Sequence, residues 1–431
     1  MSTTKTKKSK TPEKAVKPKA EELVPAVKAA RPTEAETASR LAVMRAQMEK
    51  QYGVGIVQNL AAEVSNQRFG YQIPTGSVSL DMALAPVMRR PDGSWQTGVT
   101  PGRIMEVFGP EGCGKTTLLG HLCANAQRAG QRCAYNDMEH QVDPTYFKRL
   151  GVNLSTLEFT QPSSGDDCMN IGILQLKSGL FDWIFFDSVA AMVPQSELDG
   201  EVGDAQMGAH ARLMSQSMRI INSHLSTTKG VTTNIVFVNQ IRNKIGVLYG
   251  NPETTTGGNA LKFFSSVRID MRAVGDRLKN GENVYGQRVR AKVIKNKLAP
   301  PFRSCEFDLV FGEGIDIHAD LFDVCVGRGI ITGAVWYAYK KTTLGQGRAN
   351  CILKLKASPD LAYHLYDDLL TQVQDERGFL PDGTPIPGRV QEVVVQQTEQ
   401  IFVPPTDAEI DKAVAAEDVK GIEVVNAPAA A

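Results

Sequence analysis

The stretch Gly109-Pro-Glu-Gly-Cys-Gly114-Lys115-Thr116 decides the fold of this chain. An apolar run, 104–108, precedes it, and apolar residues at helical spacing follow it over 118–126. Glycines let consecutive backbone N–H groups turn inward, the start of a helix adds partial positive charge, and Lys115 supplies a compact cation. The pattern predicts a phosphate-binding loop between a strand and a helix, with Thr116 placed to ligate Mg²⁺. An ordinary glycine-rich turn is the alternative, which the strand and helix flanks disfavour.

The composition is that of an ordinary globular protein, with 42% hydrophobic residues and a net charge of +1 over 431 residues. This length suits two or three domains. The seven cysteines form no C-x-x-C pair, which favours a reducing compartment over disulfides or structural zinc. The chain starts without an apolar signal segment, and polar residues interrupt its most apolar stretch, 181–193. We therefore predict neither secretion nor membrane insertion and expect a cytoplasmic protein.

Strand and helix patterns alternate after the loop, which predicts an α/β core: a mostly parallel twisted sheet with helices on both faces. The predicted strands 133–137, 183–186 and 234–238 are followed by polar side chains. Ligands of open α/β sheets bind at the carboxyl ends of the strands. We therefore expect four residues to converge on one crevice: Lys115, Glu139, Asp187 and Gln240.

The two acids at these strand ends fit nucleotide hydrolysis. Asp187 is placed to hold the hydration shell of Mg²⁺, and Glu139 can orient or deprotonate the attacking water. Taken alone, an acid at a strand end is more often solvated or caps a helix. The phosphate-binding loop upstream favours the functional interpretation of Asp187.

The same residues resemble bacterial RecA recombinases. The likeness runs in order from about residue 48 to residue 370. It is specific, because a bare phosphate-binding loop also occurs in many unrelated ATPases and this series of motifs does not. The matching motifs are 109–117, Met138-Glu139-His140, Pro144-Thr145-Tyr146, Phe186-Asp187-Ser188-Val189-Ala190-Ala191, Asn239-Gln240-Ile241-Arg242, the run 251–263 and Lys295-Asn296-Lys297.

The resemblance implies an ATP and Mg²⁺ site with a catalytic carboxylate, Glu139, and a sensor of the γ-phosphate, Gln240. It implies that Lys295 and Lys297 reach the ATP of the neighbouring subunit, as an arginine finger does. A solvated strand edge is the alternative for these two lysines. The nucleotide-contacting residues implied are Gly109, Pro110, Glu111, Gly112, Cys113, Gly114, Lys115, Thr116, Thr117, Asp143 and Tyr146 at the adenine, Asp187, Ser188, Lys262 and the allosteric contact Phe263.

DNA contact is expected from two loops, 199–208 and 241–258. The helix after the first loop presents basic and polar residues at i, i+3 and i+7, and the second loop is rich in glycine and threonine. Such a loop can order around a single strand without reading bases, although a mobile surface connection is the alternative. The expected DNA-binding residues are Met207, Gly208, Arg212, Ser215, Arg219, Arg242, Asn243, Lys244, Ile245, Gly246, Gly257, Gly258 and Asn259. The resemblance implies that Met207 and Ile245 wedge between stacked bases.

Five features depart from the family pattern. Two of them lie in the second loop, where Asn243 stands in place of an apolar residue and Tyr249 in place of Phe. Cys113 stands where serine is usual, and a thiol near a helix N-terminus is a candidate for oxidation. The segment 85–102, which we predict to be a surface loop, is longer than the family's. The amino-terminal arm has no counterpart in the family.

Composition and resemblance together divide the chain into segments. They are a disordered basic arm (1–40), an N-terminal helix and strand for polymerisation (41–76), the RecA-like ATPase core with its DNA-binding loops (77–313), a small α+β C-terminal lobe (314–372) and an acidic flexible tail (373–431). The lobe carries scattered cations that either offer a basic face to duplex DNA or are simply solvated: Arg328, Lys340, Lys341, Arg348, Lys354 and Lys356.

These observations predict a DNA-dependent ATPase that polymerises on single-stranded DNA and pairs it with homologous duplex DNA. ATP and Mg²⁺ would lie at each boundary between subunits. Two alternatives use the same core. A ring-forming helicase or other hexameric motor would show directional unwinding, and a non-catalytic scaffold would bind ATP without DNA-stimulated phosphate release.

Overall fold

The computed structural model describes residues 33–53, 57, 72–89, 93, 95–201, 208–227, 232–243 and 252–376. Four predicted DNA-binding residues therefore lie outside the described residues: Met207, Lys244, Ile245 and Gly246. The tail from residue 377 and the arm up to residue 32 also lie outside them. The chain divides into two compact units, Met1–Glu63 and Val64–Ala431.

The first unit contains helix α1 (Glu34–Tyr52). The basic arm was expected to extend to about residue 40, with the N-terminal helix beginning after it. The helix starts earlier, because Glu34-Ala35-Glu36 combines good helix formers with acids that suit the positive end of the helix. Residues 34–40 are thus helical rather than part of an extended arm.

The second unit alternates strands and helices in its first half. Its strands are β1 (Met88–Arg89), β2 (Trp95–Gln96), β3 (Ile104–Gly109), β4 (Cys133–Asp137), β5 (Glu158–Thr160), β6 (Trp183–Asp187), β7 (Asn234–Asn243), β8 (Glu253–Thr255), β9 (Val267–Asn280), β10 (Asn283–Asn296), β11 (Ser304–Val310), β12 (Gly314–Ile315), β13 (Ile331–Thr332), β14 (Trp336–Tyr339) and β15 (Thr342–Gln346). Its helices are α2 (Val78–Leu84), α3 (Lys115–Arg128), α4 (Pro144–Leu150), α5 (Gly165–Ser178), α6 (Gln195–Leu198), α7 (Ala209–Thr227), α8 (Ala260–Phe264), α9 (Ile317–Gly327), α10 (Gly347–Ala357) and α11 (Pro359–Glu376), with a 3₁₀ turn at Val189–Ala191.

One large sheet of the described residues runs in the order β12-β11-β10-β9-β3-β7-β6-β4-β5, with β8 attached to β7. The strands from β9 to β5 pair in parallel. Strands β9 to β12 pair antiparallel and extend the sheet at one end. The register sets Gly109 beside Gln240 and Asp137 beside Asp187, so the carboxyl ends of these strands are level. This is the mostly parallel α/β sheet that the sequence predicted.

Helices cover both faces of the sheet because successive strand residues point in opposite directions. Phe185 of β6 and Val238 of β7 pack in the same cluster as Leu118 and Leu122 of α3. The neighbouring strand positions face the other way, toward a second cluster. That cluster contains Phe186, Phe237, Met169 and Ile173 of α5, and Met214 and Met218 of α7.

The C-terminal lobe is a three-stranded antiparallel sheet, in the order β13-β14-β15, with α9, α10 and α11. These elements bury their own cluster, which includes Phe322, Leu355 and Leu369. This agrees with the small α+β lobe that we predicted.

The segment predicted as a surface loop, 85–102, is more ordered than expected. Strands β1 and β2 pair in it, and Trp95 packs against the cluster of the C-terminal lobe. Trp95 Nε1 donates a 2.7 Å hydrogen bond to Asp367 Oδ1 on α11. The Trp95 indole packs on an apolar surface and donates to a hydrogen-bond acceptor. These two contacts order a segment that its polar turn residues alone would not order.

Every helix in the described part of the chain is too short or too polar to span a bilayer.

Candidate nucleotide site and DNA interface

The phosphate-binding loop joins β3 to α3 and leaves the first turn of that helix open. Gly114 is the N-cap, in the left-handed region at φ 87°, and no side chain caps the helix. A Cβ at Gly114 would lie 2.3 Å from Leu309 Cδ1, whereas one at Gly112 would meet nothing within 4 Å. The uncapped N–H groups of α3 therefore form an anion-binding concavity with open space in front of Gly112.

Lys115 and Cys113 differ sharply in exposure and role. Lys115 Nζ donates to the carbonyls of Gly109, at 3.1 Å, and Pro110, at 2.7 Å. Cys113 is 1% exposed, and its Sγ lies 3.0 Å from the Pro110 carbonyl. Burial raises the pKa of the Cys113 thiol, an effect that Lys115 only partly opposes. The idea that this thiol is prone to oxidation was therefore wrong, because it is shielded and protonated.

Asp187 receives two hydroxyl donors on the same oxygen. Thr116 Oγ1 donates to Asp187 Oδ2 at 2.7 Å, and Tyr135 Oη donates to it at 2.8 Å. Burial raises the pKa of Asp187 to about 6; the two hydrogen bonds act in the opposite direction, and Glu139 adds to the rise. A hydroxyl and a carboxylate held this close are the hard oxygen ligands that suit Mg²⁺. The sequence did not predict the contact of Tyr135 with Asp187, because Tyr135 has the pattern of an ordinary buried strand residue.

Glu139 lies beyond the end of β4, with partners from two other strands. Its Oε1 accepts from Gln240 Nε2, at 3.1 Å, and from the Ser188 hydroxyl. Asp137 fixes the turn that carries Glu139, since its carboxylate accepts from the backbone N–H groups of Glu139 and Val142. The carboxylate is thus held in place by the Gln240 amide and the Ser188 hydroxyl.

A cavity of about 590 Å³ brings most of the predicted nucleotide residues together. It is lined by Glu111, Gly112, Gly114, Lys115, Thr116, Thr117, Glu139, Tyr146, Asp187 and Gln240 of the predicted set. It is also lined by residues that we did not predict: Gln141, Val238, Gln287, Leu309, Phe311 and Gly312. Gln287 Nε2 donates to the Gly112 carbonyl. The sequence gives one signal of this contact, which is that a polar residue, Gln287, stands at an inward-facing position of β10.

The predicted adenine-contacting pair is split between two roles. The hydroxyls of Tyr146 and Thr117 share a 2.7 Å hydrogen bond, so Tyr146 stands at the cavity wall. Asp143 caps α4 by accepting from Thr145 N at 2.8 Å and does not line the cavity. Its carboxylate is exposed, and a nucleobase could still reach it from outside.

The four residues predicted to act across a subunit boundary lie away from the cavity of their own chain. Lys295 pairs in register with Arg268, which pairs with Glu106, three residues before the phosphate-binding loop. That offset is about 10 Å along the strand. Lys295 Nζ donates to the carbonyls of Lys262, at 2.6 Å, and Phe263, at 2.9 Å. Burial lowers the pKa of Lys295, as do Lys297 and Arg268 nearby.

Phe263 is 73% exposed, an unusual position for an aromatic ring. Lys262 Nζ donates to Thr254 Oγ1 at 2.7 Å. The backbone N–H of Lys297 donates to the carbonyl of Ser266, between α8 and β9, at 3.0 Å. None of the four lines the nucleotide cavity in the described part of the chain.

The described ends of the two predicted DNA loops meet at α7. A Cβ at Gly257 would lie 3.0 Å from Met214, and one at Gly258 would lie 3.0 Å from Ala211. Both glycines have positive φ. The backbone at the end of the second loop therefore approaches α7, the helix that follows the first loop, more closely than other residues would allow. The described ends of the two predicted loops therefore lie at the same helix.

The predicted contacts on α7 are not equivalent. Arg212 and Arg219 are exposed, but Ser215 Oγ donates to the Ala211 carbonyl of its own helix at 2.7 Å. Arg242 and Asn243 are exposed at the end of β7, as are Gly208 before α7 and Asn259 before α8. The exposed residues are the ones that a phosphate can reach, although Arg219 Nε already donates to the Ser215 carbonyl at 3.2 Å.

The cations of the C-terminal lobe are mostly occupied by carboxylates. Arg348 pairs with Asp308 and Asp323, Lys340 with Asp368 and Lys356 with Asp316, at 2.7 to 2.8 Å. Lys354 Nζ donates to the Thr343 carbonyl. A basic face for duplex DNA would have to draw on Lys341 or replace these internal pairs.

Comparison with known proteins gives a consistent result. The family model of the RecA N-terminal domain matches residues 39–316, and that of the RecA C-terminal domain matches residues 319–374. The chain is 43% identical to Protein RecA 2 of Myxococcus xanthus over 79% of its own length and 91% of that protein. It is 46% identical to Protein RecA of Streptomyces coelicolor, over 74% and 81%. It is 43% identical to Protein RecA of Cutibacterium acnes, over 83% and 99%.

Proposed function

The chain belongs to the RecA family, as a DNA-dependent ATPase of recombination and repair, and we propose that its ATP sites are completed by the next subunit of a filament on single-stranded DNA. One observation carries the proposal. Lys115, Thr116, Glu139, Asp187 and Gln240 line one cavity, while Lys295 and Lys297 lie toward the opposite edge of the same sheet. A cation that cannot reach its own cavity can serve only a neighbour's.

In this proposal, ATP binds with its phosphates against the open first turn of α3. Lys115 leaves the carbonyls of Gly109 and Pro110 and pairs with the outer phosphates. Thr116 and, through water, Asp187 would hold Mg²⁺, which would neutralise charge on the leaving phosphates. Tyr146 and Phe311 at the cavity wall offer apolar surface to the base.

Glu139 orients and deprotonates the attacking water. Its Oε1 is already hydrogen-bonded to Gln240 and Ser188, so the carboxylate has a defined position before the nucleotide arrives. Gln240 stands between this carboxylate and the outer phosphates. Loss of the terminal phosphate would change what Gln240 can bond, and the amide therefore reports the state of the nucleotide.

Single-stranded DNA occupies the surface at α7 and the ends of the two loops. Arg212, Arg219 and Arg242 supply phosphate contacts, and the backbone of the glycine-rich loop supplies further donors. Contacts of this kind do not read bases, so the homologous duplex is selected by base pairing. We place this activity in the cytoplasm.

The proposal is tested by electron microscopy together with ATPase assays. With single-stranded DNA and a non-hydrolysable ATP analogue we expect extended filaments, and with ATP we expect DNA to stimulate phosphate release. A protein that stays monomeric under these conditions, or that hydrolyses ATP equally fast without DNA, would contradict the proposal.

A further inference from the structure

A charged side chain lies fully buried in the middle of the central strand, away from the nucleotide cavity. Glu106 of β3 has no exposed surface, although its neighbours along the strand are apolar. Burying a carboxylate costs stability unless partners compensate, and an apolar residue of similar size would usually fit such a position as well. We therefore expect Glu106 to have a role beyond packing.

Glu106 is the centre of a polar row that crosses three adjacent strands on one face of the sheet. Asn239 Nδ2 on β7 donates to Glu106 Oε1 at 2.9 Å. Arg268 Nε on β9 donates to Glu106 Oε2, and its guanidinium lies 4.7 Å from the centre of the Phe108 ring. Both carboxylate oxygens are thus satisfied, one from each neighbouring strand.

The two ends of this row lie at sites that the proposed function uses. At one end, Asn239 Oδ1 accepts from the backbone N–H of Gln240, at 2.9 Å, and from the Thr256 hydroxyl. Asn239 Nδ2 also donates to the Thr256 carbonyl, immediately before Gly257 at the end of the second DNA loop. At the other end, Arg268 pairs in register with Lys295.

We propose that Glu106 is a positioning residue that couples the nucleotide cavity and the second DNA loop to the subunit boundary, through Asn239 on one side and Arg268 on the other. A shift of the Gln240 backbone moves the Asn239 amide, whose hydrogen bonds join Gln240, Thr256 and Glu106. Glu106 then transmits the shift to Arg268, beside the lysine that serves the neighbouring subunit. The packed sheet between them leaves few intermediate arrangements.

The inference rests on the proposed function, and its test separates the two. DNA affinity of the full chain is measured with and without a non-hydrolysable ATP analogue, and the ratio of the two dissociation constants gives the coupling. If the two dissociation constants of the wild-type protein are equal, so that nucleotide does not change its DNA affinity, the proposed function itself is contradicted. Glu106→Gln keeps the shape and an acceptor for Asn239 but loses the charge that holds Arg268.

We expect Glu106→Gln to lower the coupling ratio by about tenfold, while nucleotide affinity without DNA changes by less than about threefold. The matched control is Glu306→Gln on β11, which also pairs with an arginine, Arg288, at 3.2 Å but is exposed. We expect the coupling ratio of the Glu306→Gln variant to stay at the wild-type value.

A second variant removes the risk that Glu106→Gln simply misfolds. The double change Glu106→Met with Arg268→Met replaces the buried ion pair by apolar side chains, which proteins commonly tolerate. Its thermal unfolding reports stability separately from coupling. We expect a folded, nucleotide-binding protein with the same loss of coupling, and wild-type coupling in the folded double variant would overturn the inference.

Discussion

Gln240 Nε2 donates a 3.1 Å hydrogen bond to Glu139 Oε1, joining the ends of β7 and β4 across the nucleotide cavity. The Ser188 hydroxyl donates to the same carboxylate oxygen from beyond β6. Three strand ends therefore fix one carboxylate, and they do so because parallel strands deliver their carboxyl ends to one edge.

Replacing the carboxylate separates binding from turnover. We expect Glu139→Ala to reduce ATP hydrolysis by about 10²–10⁴-fold, the usual contribution of a positioned general base. ATP and DNA binding remain, since neither the loop nor α3 changes. Phosphate-release and nucleotide-binding assays measure the two effects, with Glu158→Ala, an exposed acid on β5, as the control. Retained hydrolysis would assign the role to another group.

Lys115 is required at an earlier step than Glu139, when the phosphates of ATP bind. We expect Lys115→Ala to abolish ATPase activity and strand exchange, because no other loop residue supplies a cation to the outer phosphates. Thermal unfolding without nucleotide stays close to that of the wild type, since the described hydrogen bonds of the lysine, to the Gly109 and Pro110 carbonyls and to Cys113 Sγ, all lie within the loop. Normal turnover in this variant would remove the phosphate-binding loop from the account.

His121 makes stability depend on pH. Its Nε2 accepts from the Ile315 backbone N–H at 2.9 Å, which requires the neutral ring, and burial lowers its pKa to about 4 from 6.5. The unfolded chain therefore binds the extra proton between pH 4 and 6.5, and stability is lost as pH falls through that window. The loss from this group is about 3 kcal/mol at most.

Chemical denaturation of His121→Gln at several pH values checks this expectation. Glutamine can accept the same hydrogen bond but does not titrate. Asp81 and Asp187 have pKa values raised to about 7 and about 6 in both proteins, so the difference between the two curves isolates the histidine. A difference that does not vary with pH would contradict it.

Trp95 stabilises the packing of the C-terminal lobe. Trp95→Phe keeps an aromatic ring against the lobe cluster but loses the 2.7 Å bond to Asp367, and we expect a loss of about 1–2 kcal/mol in unfolding free energy. Denaturant titration measures it. The control, Trp336→Phe, changes an indole that is 61% exposed and should alter stability by less than about 0.5 kcal/mol. Equal effects would show that the hydrogen bond does not matter.

Local signals in the sequence predicted the parallel half of the fold and the arrangement around its phosphate-binding loop. Apolar runs ending in Asp187 and Gln240 mark buried strands with polar carboxyl ends, and the topology of a parallel sheet then brings those ends together. Family resemblance added the γ-phosphate sensing of Gln240 and the roles of Lys295 and Lys297, which no spacing rule supplies. Those roles stay predictions.

The missed residues depend on register and on distant packing. Gln287 and Phe311 reach the cavity only because the antiparallel strands β10 and β11 extend the sheet past the loop. Trp95 lies in a segment of turn-forming residues, and only the position of α11 shows what it binds. The start of α1 was placed too late because the apolar spacing begins after the helix does.

The central claim, that each ATP site is shared between two subunits, is tested most directly by mixing two inactive proteins. One carries Glu139→Ala, and the other carries Lys295→Ala with Lys297→Ala. In a head-to-tail filament of equal parts, about one boundary in four combines an intact cavity with intact lysines. We predict recovery of roughly a quarter of wild-type DNA-stimulated ATPase activity in the mixture, and a mixture as inactive as its separate components would contradict the claim.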